Sequence, residues 1–345
     1  MASVDVTVRG AGIFGLSIAW ACARRGARVR VVDPFGIGAG SSGGLVGSLS
    51  PHVPEAWNEK KAFQLESLLM AGEWWGEVAR ASGRDPGYAR LGRLQPLEDG
   101  AAVEMARRRA VTARDLWQGQ AAWEVVPATG AAWEPVSPSG WLVRDTLSAR
   151  LSPRMGLSAL VGALAEKGVE VLVREAEERG EVIHATGVAG LEALSGTLGK
   201  RVGGGVKGQA LSLRFEAGGL PQLFVDGLHV VPHADGTVAV GSTSENQWSH
   251  EGVDEKVEGL LARAVAALPV LTGTPVVDRW AGVRPRAVSR APLMGAWPGR
   301  AGHWVANGGF KIGFGMAPKL AEVMADLVLE GRDGVPEGFR IEGLL

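Results

Sequence analysis

The chain has 345 residues and a formal net charge of −1, from 36 Lys and Arg against 37 Asp and Glu. This balance argues against nucleic acid as the main partner, because phosphate binding needs a concentrated positive field. The single cysteine, Cys22, excludes a disulfide framework and any multi-cysteine metal site. The 51 glycines follow no G-X-Y period, and 46% of the residues are hydrophobic, which excludes collagen-like and disordered chains.

Length and terminal sequence set further expectations. At about 100–200 residues per domain, the length predicts two domains. The N-terminus has no basic segment followed by an apolar one, and no run reaches about 18 apolar residues. We therefore expect a soluble protein without an integral membrane segment. A chain with one cysteine suits a reducing compartment, so we predict a cytoplasmic location.

The first 33 residues predict a strand, a helix and a second strand. Valines alternate with other residues over 4–8, which is typical of a strand. Residues 13–25 are apolar nearly all round and end in basic residues before Gly26, which predicts a buried helix. Residues 28–33 predict another strand. This order indicates a right-handed βαβ unit with parallel strands.

The rest of the chain alternates between helical and strand patterns. Predicted helices cover residues 59–81, 101–117, 152–168, 254–268 and 317–329. Predicted strands cover residues 169–173, 181–187, 208–215, 223–231, 237–242 and 303–306. Mixed α/β patterns thus occur at both ends and at 152–187, with a β-rich insert at 205–250. We predict a discontinuous nucleotide-binding domain that carries a second domain.

The turn between the first strand and the first helix carries a G-x-G-x-x-G pattern, Gly10, Gly12 and Gly15, with Asp33 at the end of the next strand. In this context the glycines allow a tight turn, close approach of the pyrophosphate and close helix–strand packing. The helix N-terminus offers free N–H groups to phosphate, and Asp33 is placed to bind the ribose hydroxyls. The pattern predicts a dinucleotide site.

The choice between NAD and FAD depends on where the α/β pattern is interrupted. It breaks off after Asp33 into a Gly- and Ser-rich stretch and resumes only at 152–187. A nucleotide domain for NAD alone is usually contiguous. We therefore favour FAD, which must extend from the N-terminal fingerprint into a second region.

Two other patterns predict competing chemistry, and we reject both. Residues 40–44 match the G-x-S-x-G elbow of hydrolases but follow no clear strand. His229 and His233 are four residues apart, but Pro232 excludes the helix used by H-x-x-x-H zinc sites, and Asp235 is the only third ligand in view. We predict no metal site.

Several separated segments occur in the order seen in one enzyme family. They are the fingerprint with Asp33 and the segments 41–49, 171–173, 183–187, 206–209, 238–243, 282–285 and 307–315. Together they resemble the D-amino-acid oxidase family of FAD-dependent oxidoreductases, which includes glycine oxidase and monomeric sarcosine oxidase. The similarity covers most of the chain.

The resemblance implies an α/β fold with a discontinuous Rossmann-like FAD-binding domain over residues 1–50, 150–205 and 280–345. A second α+β substrate domain with an antiparallel sheet would cover 51–149 and 206–279. The implied reaction oxidises the C–N bond of a small amino acid or secondary amine, such as glycine, sarcosine or a D-amino acid. A hydride passes to flavin N5, so no catalytic side chain is expected.

The resemblance also assigns binding residues. Arg284 of the G-x-R-P motif would clamp the substrate carboxylate, since a guanidinium suits bidentate binding. Lys311 would bind the carboxylate or the flavin carbonyl, and His52 would line the substrate pocket. The residues implied to hold FAD are Gly10, Gly12, Ile13, Phe14, Gly15, Asp33, Ser41, Ser42, Val46, Gly47, Ser48, Val173, Thr186, Gly187, Gly308, Gly309, Phe310, Lys311 and Ile312.

Departures from the family pattern sharpen some expectations and leave others open. Sarcosine oxidases tether FAD to a cysteine near the C-terminus, and some relatives use a histidine where this chain has Gly44. Since Cys22 lies in the first helix, we predict non-covalent FAD. The electron acceptor is O₂ or another molecule. Two alternatives stay open: the flavin module of a tRNA-modifying enzyme, and a non-catalytic flavoprotein subunit of an amine dehydrogenase complex.

Overall fold

The computed structural model describes residues 4–344. Its strands are β1 (Val6–Arg9), β2 (Val29–Val32), β3 (Ser48–Leu49), β4 (Arg93–Pro96), β5 (Trp123–Pro127), β6 (Trp141–Asp145), β7 (Ala149–Arg150), β8 (Glu170–Leu172), β9 (Glu181–His184), β10 (Gly203–Arg214), β11 (Gln222–Val225), β12 (Leu228–Pro232), β13 (Thr237–Gly241), β14 (Val276–Ala287), β15 (Leu293–Ala296) and β16 (His303–Asn307). Its α-helices are α1 (Ile13–Arg24), α2 (Glu59–Ser82), α3 (Gly100–Trp117), α4 (Pro153–Glu166), α5 (Gly187–Leu198), α6 (Lys256–Ala267) and α7 (Gly313–Glu330).

The first sheet is a nucleotide-binding sheet in its topology. Its strand order is β15-β16-β9-β1-β2-β8, and every pairing from β16 to β8 is parallel. Only β15 is antiparallel, at the edge. Because these five strands are parallel, their carboxyl ends lie at one edge of the sheet, where α/β proteins bind ligands. The strands come from distant parts of the chain, so this edge brings together β1, β2, β8, β9 and β16.

A layer of helices covers one face of this sheet. Helix α1 is apolar on nearly every side, so it must be buried between the sheet and other helices. Eleven of its 12 residues are buried. Helix α1 packs between the sheet and the helices α4 and α7, and α2 packs in turn on α4 and α7. Their side chains share one continuous core, in which Trp75 and Leu16 are fully buried. The packing leaves α1 no solvent-exposed face.

The second sheet has eight strands in the order β14-β10-β13-β12-β11-β4-β6-β5. All of its pairings are antiparallel except that of β11 with β4. Helix α6 packs on β10, β12 and β13 over a separate apolar core. The fold class predicted from the sequence, a Rossmann-like domain with a second antiparallel sheet, is confirmed.

Helix α5 lies between the two sheets. It packs against β16 of the first sheet and against β10 and β14 of the second. Gly203 on β10 makes room for this contact: a β-carbon there would lie 2.8 Å from Leu191 Cδ1 of α5 and 2.8 Å from the Arg286 carbonyl oxygen. Gly203 is therefore required by packing, whereas a β-carbon at Gly204 would meet only Arg201.

Several predicted elements differ from the structure in extent. The predicted strand over 223–231 is wrong as a single strand, because a tight turn at Asp226 and Gly227 divides it into β11 and β12. Both turn residues have positive φ, +46° and +74°, as two-residue hairpins often require. Helix α7 begins at Gly313 rather than at 317, one turn earlier. The strands β3 to β7, β14 and β15 and the helix α5 were not predicted.

The predicted domain boundaries stay a prediction. The two sheets draw their strands from ranges close to those predicted, although β14 extends past residue 280. Helix α2, which the prediction gave to the second domain, packs with the helices of the first sheet. Within residues 4–344, every helix is too short or too polar to span a lipid bilayer.

Candidate functional site

Three helix N-termini open onto one cavity of about 1380 Å³ between the two sheets. They belong to α1, α5 and α7, whose first residues Ile13, Gly187 and Gly313 all line it. None of these helices has an acidic residue in its first turn or a hydrogen bond from its own N-cap side chain. The helix dipoles, and the first-turn N–H groups that no N-cap side chain occupies, therefore make this cavity attractive to phosphate and other anions.

The G-x-G-x-x-G turn brings the backbone to the cavity wall. Gly10 has φ of +105°, and a β-carbon there would lie 2.3 Å from the Ala185 carbonyl oxygen. A β-carbon at Gly15 would lie 1.9 Å from the Gly10 carbonyl oxygen, so Gly15 allows α1 to pack against the turn rather than lining the cavity. Gly12 does line it, and a β-carbon at Gly12 would lie 3.1 Å from Ser42 Oγ.

Asp33 lies at the end of β2 and holds the turn in place. Its carboxylate accepts hydrogen bonds from the Ala11 N–H at 2.8 Å and from the Phe35 N–H at 3.0 Å. Asp33 and Phe35 line the cavity, and Phe35 is 83% exposed. A carboxylate that keeps free lone pairs beside an exposed aromatic ring suits a ribose and its base.

The second Ser- and Gly-rich loop closes over the start of α1. Ser42 Oγ accepts a hydrogen bond from the Ile13 N–H at 3.0 Å, which links this loop to the fingerprint helix. Gly44 lies under Trp280, since a β-carbon there would be 3.4 Å from the Trp280 ring. The loop thus joins the nucleotide end of the cavity to the second sheet.

The C-terminal loop between β16 and α7 forms another wall. Buried Asn307 donates from Nδ2 to the Gly187 carbonyl oxygen at 2.8 Å and accepts from the Gly308 N–H at 2.7 Å, which ties this loop to the start of α5. A β-carbon at Gly309 would lie 2.7 Å from Phe14 Cζ. Only glycine therefore lets the loop pack this closely on α1.

Arg284 is a buried cation that faces the cavity. Its residue is 8% exposed, and its Nη1 donates to the Thr243 carbonyl oxygen at 3.2 Å. It makes no ion pair within residues 4–344. Burial lowers the pKa of Arg284 to about 10, so the guanidinium stays charged at neutral pH. A buried charge without a counterion is costly and is relieved by an anionic ligand.

Gly208 makes the position of Arg284 possible. The register pairs Gly208 on β10 with Gly282 on β14, two residues before Arg284. A β-carbon at Gly208 would lie 2.0 Å from Arg284 Nη1 and 2.1 Å from Nη2. The Arg284 side chain therefore crosses β10 above Gly208 to reach Thr243.

Lys311 and His229 line the cavity with Arg284. Burial lowers the pKa of Lys311, and the nearby charges of Arg284 and Arg286 lower it further. Burial, followed by the charges of Arg93, Lys311 and Arg284, lowers the pKa of His229 to about 3. Its Nδ1 is buried without a hydrogen-bond partner. This end of the cavity thus combines two cations with a neutral imidazole.

Most of the sequence-predicted residues come together at this cavity. The lining includes Gly10, Gly12, Ile13, Phe14, Asp33, Ser41, Ser42, Val46, Gly47, Ser48, Thr186, Gly187, Arg284, Gly309, Phe310 and Lys311. Four predicted FAD residues lie outside the lining: Gly15, Val173, Gly308 and Ile312. Gly308 instead allows the turn directly after β16, where its φ is +81°.

The structure does not bring His52 to the cavity wall, which corrects the expectation that it lines the substrate pocket. Its backbone N–H and its ring Nδ1 both contact Gln64 Oε1 on α2. Burial also lowers the pKa of His52. The ring is therefore directed into the helical layer by a partner that sequence order does not reveal.

Sequence reasoning missed several lining residues of the second sheet. They are Phe224, His229, Ser242 and Trp280. The His229–His233 pair drew attention only as metal ligands, but His233 Nε2 is 3.0 Å from the Leu45 carbonyl oxygen. Within residues 4–344, no group of three His, Cys, Asp or Glu side chains could hold a metal ion. One feature of the sequence could have identified His229 as a lining residue: it is a polar residue on a strand that is otherwise apolar.

Cys22 is fully buried in α1, and burial raises the pKa of its thiol to about 12. It does not line the cavity. A protonated thiol sealed in a helix core is a poor nucleophile. This geometry supports the prediction that the cofactor is not covalently bound.

Comparison with known proteins agrees with this site. The family model described as FAD dependent oxidoreductase (DAO) matches residues 5–327. A glycine oxidase of Pseudomonas putida is 30% identical over 99% of this chain and 100% of that protein. The crystal structure of glycine oxidase from Geobacillus kaustophilus superposes with a TM-score of 0.86 at 21% identity, covering 99% of both chains. A bifunctional tRNA 5-methylaminomethyl-2-thiouridine biosynthesis protein of Maricaulis maris is 30% identical over 97% of this chain and 54% of that protein.

Proposed function

This chain belongs to the FAD dependent oxidoreductase (DAO) family, and from that premise we propose that it oxidises the C–N bond of a small amino acid or carboxylate-bearing secondary amine. The product is an imine that hydrolyses to a 2-oxo acid or an aldehyde. The relatives named glycine oxidase support this substrate class. The electron acceptor in this proposal is O₂ or another acceptor.

The observation that carries the proposal is the buried Arg284 guanidinium. It faces the cavity and lacks a carboxylate partner within residues 4–344. A guanidinium fork binds a carboxylate through two parallel N–H donors, which fixes the orientation as well as the position of the ligand. We assign Arg284 to the substrate carboxylate and Lys311 to the carboxylate or the flavin carbonyl.

The residues of the cavity fit FAD in shape and charge. The fingerprint turn and the starts of α1 and α5 suit the pyrophosphate, and Asp33 suits the ribose. The uncapped start of α7 lies beside Lys311 and suits the electron-rich edge of the flavin. When bound, FAD supplies the acceptor for the hydride that leaves the substrate Cα.

The side chains around Arg284 also control the protonation of the substrate. Arg284 and Lys311 place two positive charges in the same part of the cavity. A substrate ammonium beside them loses its proton more readily, because like charges disfavour the charged form. The neutral amine is the form whose lone pair assists departure of the hydride. His229 stays neutral and adds no charge.

The test is anaerobic reduction of the bound flavin by glycine, sarcosine, proline and D-amino acids, with methylamine as a carboxyl-free comparison. We expect bleaching by at least one amino acid and not by methylamine at equal concentration. Arg284→Met removes both guanidinium donors. It should raise the substrate concentration that gives the half-maximal rate of flavin reduction by at least about 10- to 150-fold, the effect of losing even one charge-assisted hydrogen bond of about 1.5–3 kcal/mol. Arg279→Met, an exposed arginine of the same strand, is the control. The proposal fails if no amine bleaches the flavin.

The tRNA-modifying alternative rests on the Maricaulis maris relative, of which this chain spans 54%. The net charge of −1 argues against a nucleic-acid substrate. Retardation of tRNA on a native gel, together with no bleaching by free amino acids, would favour this alternative.

A further inference from the structure

A buried polar network lies on the opposite face of β10 from Arg284. Side chains alternate along a strand, so Lys207 and Gln209 point away from the face on which Gly208 admits the guanidinium. The Lys207 side chain is 0% exposed, and its Nζ lies 2.7 Å from Asp254 Oδ2. Lysine is almost never fully buried unless it is paired, and Asp254 supplies that partner.

Gln209 is the centre of this network. Its Nε2 donates to Asp254 Oδ1 at 2.6 Å and to Glu245 Oε1 at 3.0 Å, and its Oε1 accepts from the Asp254 N–H at 2.8 Å. The side-chain amide of Gln209 therefore donates to the carboxylates of both Asp254 and Glu245. A glutamate at 209 would add a third negative charge, and an apolar side chain would leave the two acids without these donors.

The network continues directly to the segment that holds Arg284. Thr243 Oγ1 donates to Glu245 Oε1 at 2.7 Å and accepts from the Gln209 N–H at 2.8 Å. The Thr243 N–H donates to the Gln209 carbonyl oxygen at 3.1 Å. The carbonyl oxygen of Thr243 is the acceptor for Arg284 Nη1. Three hydrogen bonds therefore fix the residue whose carbonyl anchors the guanidinium. Two of them use main-chain atoms of Gln209, and the third, from Thr243 Oγ1 to Glu245, is the one that the Gln209 side chain supports through its own bond to Glu245.

The network contains two lysines and two acids, which form two ion pairs that do not include Arg284. Lys207 pairs with Asp254, and Lys256 Nζ pairs with Glu245 Oε2 at 2.7 Å. Hydrogen bonds from Gln209 and Lys207 lower the pKa of Asp254, so that carboxylate stays ionised. Burial lowers the pKa of Arg284 and the charge of Glu245 raises it, but neither acid forms an ion pair with Arg284. Its guanidinium N–H donors therefore remain available to a ligand in the cavity.

We infer that Gln209 is a positioning residue for the substrate carboxylate: through Glu245 and Thr243 it holds the Thr243 carbonyl oxygen, and that oxygen sets the direction of the Arg284 guanidinium. The inference rests on the proposed function for the identity of the substrate. It concerns a residue that does not line the cavity and contacts neither substrate nor cofactor.

The test uses the FAD-loaded protein and acetate, a carboxylate without an amine, as the probe. Acetate binding is followed by the perturbation of the flavin absorption spectrum. We expect Gln209→Met to raise the Kd for acetate at least tenfold and the KM for the amino-acid substrate by a similar factor, with kcat changed less than threefold. Arg279→Met, which removes the ion pair between β14 and Glu258 of α6 without touching Thr243, should leave both constants unchanged.

Several outcomes decide the inference. A lower melting temperature or FAD content for Gln209→Met with unchanged acetate affinity overturns it, since that is the result of a merely structural role. If Gln209→Met does not fold, Thr243→Val decides: a tenfold weaker affinity for acetate upholds the inference, and an unchanged affinity overturns it. If wild-type protein binds acetate in an Arg284- and Gln209-dependent way but no amine bleaches its flavin, the proposed function fails and the positioning role stands.

Discussion

Gly208→Ala tests whether the path of Arg284 over β10 matters for function. The new methyl group would lie 2.0 Å from Nη1, 2.1 Å from Nη2 and 2.2 Å from Cζ of Arg284. At Gly10 and Gly47 the obstructing atoms are backbone carbonyl oxygens, which cannot move away without disrupting the fold. At Gly208 the obstruction is the end of a flexible side chain. The guanidinium therefore moves, and the main cost falls on ligand binding.

The expected magnitudes separate binding from stability. In a strand, alanine is favoured over glycine by roughly 0.5–1 kcal/mol, which offsets part of the cost of moving Arg284. We expect the melting temperature and the FAD content to change little. A displaced guanidinium loses at least one charge-assisted hydrogen bond to the carboxylate, about 1.5–3 kcal/mol, or roughly 10- to 150-fold in affinity.

The assay compares kcat/KM for the amino-acid substrate and the Kd for acetate between wild type and Gly208→Ala. Gly204→Ala is the matched control on the same strand, since its methyl group would meet nothing closer than Arg201 Nη2 at 3.3 Å. Unchanged acetate affinity in a folded Gly208→Ala protein would refute the assignment of Arg284 to the carboxylate. Loss of folding would refute the argument that the guanidinium can move.

Three further predictions concern the cofactor and the effect of pH. Acid precipitation should leave the yellow flavin in the supernatant because Cys22 is buried, and a yellow pellet would contradict non-covalent binding. Asp33→Ala should weaken FAD binding about tenfold, measured by the fluorescence of released FAD, since Asp33 orders the Ala11 and Phe35 amides. His229 has a pKa of about 3 in the folded protein against about 6.5 unfolded, so stability should fall as the pH drops below about 6.5. The urea midpoint should therefore fall less between pH 7.5 and pH 5 in His229→Gln than in wild type, and an equal fall would contradict the assignment.

The features that could be predicted from sequence are those whose cause is local. Gly10 needs a positive φ in the turn after β1, and the apolar pattern of α1 follows directly in the chain. Asp33 ends the next strand, so one short segment contains the whole fingerprint. The right-handed connection of parallel strands then places these residues at the sheet edge with few alternatives. The family resemblance added Arg284 and the C-terminal loop by motif order.

Side-chain neighbours across strands and helices could not be predicted in this way. The register of β10 with β14 decides that Gly208 admits Arg284, and the packing of α5 decides that residue 203 has no room for a side chain. His52 turns to Gln64 because helix α2 is packed there. The residue pattern of a strand indicates which residues share a face, but it does not indicate which strand is its neighbour or in what register the two pair. A shift of one residue in that register changes every cross-strand neighbour. The sequence by itself thus determined which residue types are available to the cavity and what charges they carry. Only the non-local pairing of strands decided which of them surround the buried Arg284.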